Sequence, residues 1–188
     1  ARVTIIIKTI AAQVHHMSDS LILQAASFCI KAHGDQVRKY SGLPYHTHPA
    51  RVAGRICVMP GATALEVCAG FLHDVIEDTS TTKEDLFALF PSQVVTYVIN
   101  LTDVFTKKSF PNLNRSDRRS LEYERLAEQD AWTRKIKLAD RIDNLRDMSP
   151  LEDFYRVYCK ESEQLLFYLA KTDELLEAEL KHLVKRKF

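Results

Sequence analysis

The sequence predicts a single, all-α domain, and three observations carry that reading. Apolar residues recur at three- and four-residue spacing through most of the chain, the period of a helix with one buried face. Only five glycines and six prolines punctuate 188 residues, too little for a many-stranded fold. The length suits one full-sized core, and no repeat, low-complexity tract or linker divides it.

The elements follow in order. Ser18 or Ser20 can cap a first helix running through Leu21, Ala25, Phe28, Cys29 and Ala32. Gly34 to Tyr45, with Ser41, Gly42 and Pro44 among basic residues, reads as a loop. Pro49 fits the first turn of a short helix carrying Val52, Ala53 and Ile56, which Pro60-Gly61 ends. Thr63 caps a third helix through Leu65, Cys68, Phe71, Leu72 and Val75. Thr81 or Thr82 starts a helix from Lys83 to Leu89, with Glu84 and Asp85 favourably placed in its first turn. Another follows Pro91 as far as Leu101. The polar stretch from Thr102 to Arg119 reads as a long functional loop. Helices resume at about Ser116–Glu128, at Ala131–Asp147, and from Leu151 towards the end, with a break around Lys171-Thr172-Asp173.

Composition narrows the function classes. Apolar residues make up 46% and charged residues 27%, and the net charge is +1, so nothing global selects nucleic acid or an anionic membrane as partner. No apolar run reaches the ~20 residues that span a bilayer. Cys29, Cys57, Cys68 and Cys159 are scattered without a Cys-x-x-Cys pair and read as reduced, mostly buried thiols of a cytoplasmic protein. Residues 1–16 show no signal-peptide cleavage site. They read as an appendage before a domain of residues 17–188, with a short edge strand at Val3–Ile7 as the alternative.

Chemistry concentrates in His73-Asp74-Val75-Ile76-Glu77-Asp78, expected at the end of an otherwise apolar helix. Helical spacing stacks His73 near Glu77 and Asp74 near Asp78, four ionisable groups on one turn. A lone His-Asp pair reads as structural. Four such groups in a core helix need metal, counter-charge or solvent, because desolvation penalises each of them. Two further segments supply natural partners. His48 precedes the Pro49 helix, and Asp140 sits among Ile136, Leu138, Ala139 and Ile142 in a helix that reads as buried. Two imidazoles and two carboxylates suit a divalent cation and leave coordination positions for water and a substrate oxygen.

An upstream His, a central His-Asp and a distant Asp in this order resemble the HD phosphohydrolase superfamily. The finer resemblance is to the (p)ppGpp hydrolase domain of the Rel/SpoT enzymes and, closer still, to the stand-alone small alarmone hydrolases. It is carried by Ala32-His33-Gly34-Asp35-Gln36-Val37-Arg38-Lys39, Gly42-Leu43-Pro44-Tyr45 through His48-Pro49, Leu72 to Thr79, and Ile136 to Arg141 with Asn144-Leu145-Arg146, over about residues 20 to 170. The resemblance implies a compact multi-helix HD bundle in which His48, His73, Asp74 and Asp140 bind a metal, usually Mn²⁺. It implies that Glu77 and Asp78 orient or deprotonate the attacking water. It places Arg38 and Lys39 beside the nucleotide, and Tyr45 and Asn144 against base and ribose. The expected reaction removes the 3′-pyrophosphate of a small-molecule alarmone nucleotide, with neither nucleic acid nor membrane as partner. Two departures stand out. Tyr40 is an extra residue before Ser41 relative to the Rel pattern, and Asp147 replaces a small hydroxyl residue of the long enzymes.

Other residues carry two readings each. Lys107 and Lys108 either reach the pyrophosphate or are a solvated pair, and Tyr158 and Lys160 either close the pocket or form ordinary helix surface. Arg115, Arg118 and Arg119 with Glu122 and Glu124 read as a salt-laced helix face. His33 is no ligand in the family, His46 reads as a neighbour, and His15, His16 and His182 read as exposed. Two other functions compete: a phosphatase acting on NADPH or another 2′- or 3′-phosphorylated nucleotide, and an inactive nucleotide-sensing module.

Overall fold

The computed structural model describes residues 19–185. The expected appendage at residues 1–16, its alternative strand and the Ser18 cap lie outside the described residues. Ser20 already lies inside the first helix, α1 (residues 19–33), and so does not cap it. There follow α2 (Thr47–Cys57), α3 (Ala64–Leu72), α4 (Val75–Asp78), α5 (Lys83–Leu89), α6 (Ser92–Leu101), α7 (Arg115–Ala127), α8 (Ala131–Asp147), α9 (Tyr155–Tyr168) and α10 (Glu174–Val184). The fold is all-α; among the described residues the one β contact noted is an isolated antiparallel bridge between Val37 and Pro44. Among those same residues no helix is long and apolar enough to cross a membrane.

Helix starts are set locally. Thr63 Oγ1 accepts from Leu65 N while Glu66 accepts from Thr63 N at 2.7 Å, and Thr82 and Asp85 form the same reciprocal box. Asp130 and Asp173 cap α8 and α10 through backbone N–H groups of the first turn. Each such cap is worth about 1 kcal/mol. The last stretch of chain differs from expectation at its beginning. Bonds from Glu152 N to Ser149 O and from Tyr155 N to Glu152 O make two successive tight turns across residues 149–155, so α9 starts at Tyr155 and not at Leu151. The expected break lies at 169–173, where Lys171 adopts φ 66°.

The helix α8 is the axis of the fold because neighbouring helices cover it on most sides, leaving only Ala131 and Arg146 exposed. Ile136 and Ala139 pack with Val52, Ile56, Tyr97 and Leu101, while Leu138, Ile142 and Leu145 pack with Tyr123, Leu126, Leu165 and Leu180. A third cluster joins Ala25, Leu72, Val75, Leu86, Val94 and Val98. Against this apolar ground, Lys137, Asp140, Asn144 and Asp147 recur at helical spacing and form one polar stripe.

The third helix departs from the expected course in a way that matters for chemistry. It ends at Leu72, and residues 73–74 form a turn before α4. His73 Nδ1 donates to Gly70 O at 2.9 Å, the carbonyl that the Asp74 N–H would use in a continuous helix, and Asp74 sits at φ −99°, ψ −6°. His73 and Asp74 therefore turn inward together. Gly70 also permits the close crossing of α2 and α3, since a Cβ built there would lie 2.9 Å from Ala53 Cα. Gly70→Val should force the helices apart and destabilise the protein by about 1–3 kcal/mol. A thermal melt should show a fall of roughly 2–10 °C; an unchanged midpoint would mean the crossing is not close-packed.

Candidate metal centre

Three sequence-distant segments meet at one buried point. The loop after α1 folds back through the Val37–Pro44 bridge, with Arg38 N bonded to Leu43 O and Tyr45 N to Gln36 O, both at 2.8 Å. Gly42 takes φ 69° there, a conformation that glycine adopts without strain. This turn delivers His48 to the first turn of α2, where it is fully buried. His48 Nε2 lies 3.2 Å from His73 Nε2, 3.3 Å from Asp74 Oδ2 and 3.3 Å from Asp140 Oδ1. His73 Nε2 lies 3.1 Å from Asp74 Oδ2 and 3.8 Å from Asp140 Oδ1. The four side chains singled out as a ligand set are thus brought together. His48, His73 and Asp74 form the tightest group, with their donor atoms within 4.8 Å of one another.

The donor chemistry fits a divalent cation. Each imidazole uses Nδ1 as a donor, His48 to Asp143 Oδ2 at 2.6 Å and His73 to Gly70 O, so in the neutral rings both Nε2 atoms face inward as acceptors. Two such nitrogens at 3.2 Å in a buried site repel unless positive charge lies between them. Donors bound about 2.1–2.3 Å from one cation stand roughly 3.0–3.7 Å apart, close to the separations found. Without a cation, the carboxylates around these nitrogens draw protons to them in its place. Burial opposes protonation of His48, but bonds to Asp140, Asp143 and Asp74 outweigh it and push the imidazole up to about 11. Burial opposes His73 too, and Asp74 and Asp140 lift it to about 9. Despite burial, Asp74 is held well below the usual carboxylate range by His73 and His48, and Asp140 by Lys137 and the two histidines.

An outer layer holds these donors. Asp143 receives His48 and is gripped by Arg51, Nε to Oδ1 at 2.6 Å and Nη2 to Oδ2 at 2.9 Å. Asp140 Oδ2 lies 3.2 Å from Lys137 Nζ, and Asn144 Nδ2 donates to Asp140 Oδ1. Asn144 Oδ1 accepts from Arg38 Nη2 at 2.7 Å, and Arg38 Nε donates to Asp147 at 3.1 Å. Asp147, the departure from the long enzymes, is therefore the anchor of Arg38. The Tyr45 hydroxyl reaches Asp78 Oδ2 at 2.5 Å and Asp74 Oδ2 at 2.9 Å, and its ring stacks on His33 and lies beneath Arg38.

Glu77 and Asp78 occupy α4, beside the four donors. Glu77 Oε1 accepts from Asp103 N at 2.7 Å. Burial pushes its carboxyl up to about 7, Lys137 opposing and Asp103 and Asp74 adding to the rise. Asp78 is also raised, by burial and then Asp74, against the Tyr45 hydrogen bond. Glu77 borders a cleft of about 240 Å³ lined further by Asp103, Phe105, Lys107, Arg115, Arg118 and Arg119. The three arginines do not pair along their own helix with Glu122 and Glu124, as the sequence reading had it. They cross to other elements: Arg115 to Glu161 at 2.6 and 3.0 Å, Arg119 to Asp103 at 2.6 Å, and Arg118 to the Leu113 carbonyl. Glu122 instead binds Arg125 and the N–H groups of Val104 and Phe105, which pins the loop above the cleft.

The other expected site residues are more peripheral. Lys39 is exposed, its ammonium 5.0 Å above the Tyr40 ring. Tyr158 is half-buried with the Arg141 guanidinium 4.3 Å over its ring, and Arg141 adjoins Asp140 and bonds Tyr123. Lys160 is exposed on α9. His46 is half-buried beside His48, and His182 is exposed. Cys29 and Cys68 are buried thiols, whereas Cys57 is exposed. Sequence reasoning did not single out Asp143, Arg51, Lys137, Arg141 or Asp103. The available signal was spacing: Arg51 follows His48, and Asp143 follows Asp140, by one helical turn.

The chain is similar to several known proteins. A human guanosine-3′,5′-bis(diphosphate) 3′-pyrophosphohydrolase is 34% identical over 174 residues, covering 88% of this chain and 94% of that protein. A Danio rerio protein of the same description is 35% identical over 134 residues, covering 70% of this chain and 71% of that one. The solved structure of a metazoan ortholog of SpoT, described as hydrolysing ppGpp and acting in starvation responses, superimposes with a TM-score of 0.73. It is 28% identical, over 87% of this chain and 93% of that one. The HD domain family matches residues 25–171, which include all four inward-facing donors, and the chain belongs to that family.

Proposed function

We propose that this chain is a metal-dependent hydrolase that removes the 3′-pyrophosphate from alarmone nucleotides such as ppGpp and pppGpp, or ppApp, yielding GDP or GTP and pyrophosphate. Residues 17–188 would form the hydrolase domain, working in the cytoplasm with Mn²⁺ as its cofactor. The observation that carries this reading is the meeting of His48, His73, Asp74 and Asp140 beside Glu77 at the edge of an arginine-lined cleft. Its near full-length similarity to a human 3′-pyrophosphohydrolase supports the choice of substrate.

His48, His73, Asp74 and Asp140 would hold the cation. When bound, it supplies Lewis acidity, easing deprotonation of water and neutralising charge on phosphoryl oxygens. Glu77 then takes the proton of a water that attacks the phosphorus joined to the ribose 3′-oxygen; a P–O bond forms to water, and the bond to the 3′-oxygen breaks. A carboxyl raised towards neutrality is suited to this, since it both accepts and returns a proton near pH 7. Asp78, bonded to Tyr45, orients the water and keeps the tyrosine hydroxyl over the site. Lys107, Arg115, Arg118 and Arg119 line the cleft with positive charge for the pyrophosphate oxygens. Arg38, Tyr45 and Asn144 form a linked wall for base and ribose, with Lys39, Tyr158 and Lys160 at its margins.

The deciding experiment is product identification with Mn²⁺ over a panel of ppGpp, pppGpp, ppApp and NADPH. Pyrophosphate with GDP or GTP is expected, and EDTA should stop its release. Intact alarmones, or orthophosphate from NADPH as the sole product, would overturn the assignment. Asp74→Ala should abolish both Mn²⁺ binding and turnover. Glu77→Gln should keep Mn²⁺ binding, measured by calorimetry, and lose about 10²–10⁴-fold in kcat; wild-type turnover would refute the role given to Glu77. The pH profile follows from sign. Glu77 acts when ionised and its proton affinity is raised, so kcat/KM should fall as pH drops through its pKa, at or below about 7 once a cation adds its field. That acidic limb should be missing from the residual activity of Glu77→Gln.

A further inference from the structure

His48 is held from behind by a charged relay, whereas His73 is held by a neutral carbonyl. His48 Nδ1 donates to Asp143 Oδ2 at 2.6 Å, and His73 Nδ1 donates to Gly70 O at 2.9 Å. Asp143 in turn receives two bonds from Arg51, at 2.6 and 2.9 Å, one on each carboxylate oxygen. A guanidinium bound in this forked manner stops a carboxylate from rotating, which a single hydrogen bond does not. The relay follows from helical spacing. Arg51 lies one turn after His48 on α2, and Asp143 one turn after Asp140 on α8, so each helix supplies one inward donor and one outer partner.

We propose that Asp143, clamped by Arg51, is a positioning residue for His48: it fixes the imidazole as its Nδ1–H tautomer, aims the Nε2 lone pair at the cation and strengthens that nitrogen as a ligand. This inference rests on the divalent-metal reading above. A carboxylate behind a ligating imidazole raises its basicity and fixes its ring, and losing such a partner costs about 10–100-fold in metal affinity. Arg51 acts through Asp143 and not on the cation. Its side chain is 43% exposed while that of Asp143 is 8% exposed, so truncating Arg51 removes the clamp without opening a cavity.

The test measures Mn²⁺ affinity directly, by titrating metal-free protein and counting free Mn²⁺ from its electron paramagnetic resonance signal. Melting in EDTA monitors the fold of each variant separately. Asp143→Ala is expected to weaken binding about 10–100-fold. Asp143→Asn should lose less, because the amide oxygen still accepts the Nδ1 proton. Arg51→Ala should weaken binding several-fold in the wild-type background and add nothing to Asp143→Ala, the signature of acting through one residue. Wild-type affinity in Asp143→Ala, or an Arg51→Ala loss undiminished in the double variant, would overturn the relay and leave the metal reading standing. Absence of Mn²⁺ binding by the wild-type chain would overturn both. Should Asp143→Ala melt early in EDTA, Asp143→Asn and Arg51→Ala decide: losses support the relay, and unchanged affinities refute it.

Discussion

Buried negative charge without enough positive side chains is the constraint on which the rest of this structure depends. Around the centre, Asp147, Asp143, Asp140 and Asp103 each contact a lysine or arginine: Arg38, Arg51, Lys137 and Arg119. Among the described residues no lysine or arginine is bonded to Asp74, Glu77 or Asp78, and the imidazoles nearest Asp74 turn acceptor nitrogens towards each other at 3.2 Å. Asp74 has only imidazoles and the Tyr45 hydroxyl as partners and carries the cost of a shielded carboxylate without a full counter-charge, while Glu77 and Asp78 reach solvent. A divalent cation among the four donors relieves both the carboxylate excess and the facing nitrogen lone pairs. Desolvation is the main cause of the raised proton affinities of Glu77 and Asp78, and Asp74 adds to both, so a carboxylate that calls for a cation also tunes the neighbouring acids.

Holding that charge in place explains the architecture around it. The donors come from α2, from the turn between α3 and α4, and from α8, and they meet only because α2 and α3 approach closely at Gly70 and Ala53. Gly70 serves twice, since its missing side chain permits the crossing and its carbonyl orients His73. The surrounding helices bury α8 on nearly all sides, which makes its polar stripe costly unless each member has a partner. Every member does: Lys137 with Asp140, Asp140 with Asn144, Asn144 with Arg38, and Arg38 with Asp147. Such a chain fixes side-chain rotamers from the cation outwards to the wall proposed for the base.

The parts of this design that were legible in the sequence are those set by local rules. Thr63 and Thr82 start their helices as capping chemistry dictates, and α8 spans the expected Ala131–Asp147. The four donors were legible as a set because ionisable residues in apolar helices need partners, and because their order resembles a known family. The break at His73 was not, since it arises when a side chain competes with the backbone for one carbonyl, and periodicity carries no trace of that contest. Nor were the partners of Arg115 and Arg119 legible. Spacing along α7 reports which charges share a face, but Glu161 and Asp103 reach that face from other elements.

The donors and the cleft beside them are held by different parts of the scaffold, so one can change without the other. Asp140 sits on α8, and the other donors and Glu77 sit on elements packed around it, where small displacements would break several bonds at once. The cleft beside Glu77 is built differently. Its wall is the loop between α6 and α7, pinned by Glu122 to Val104 and Phe105 and by Asp103 to both Glu77 and Arg119. Those contacts hold the loop at its base, leaving Lys107 exposed above it. Changes further along the loop can therefore reshape the pocket for a different phosphate pattern without disturbing Asp103, whose N–H holds the carboxylate proposed to move the proton.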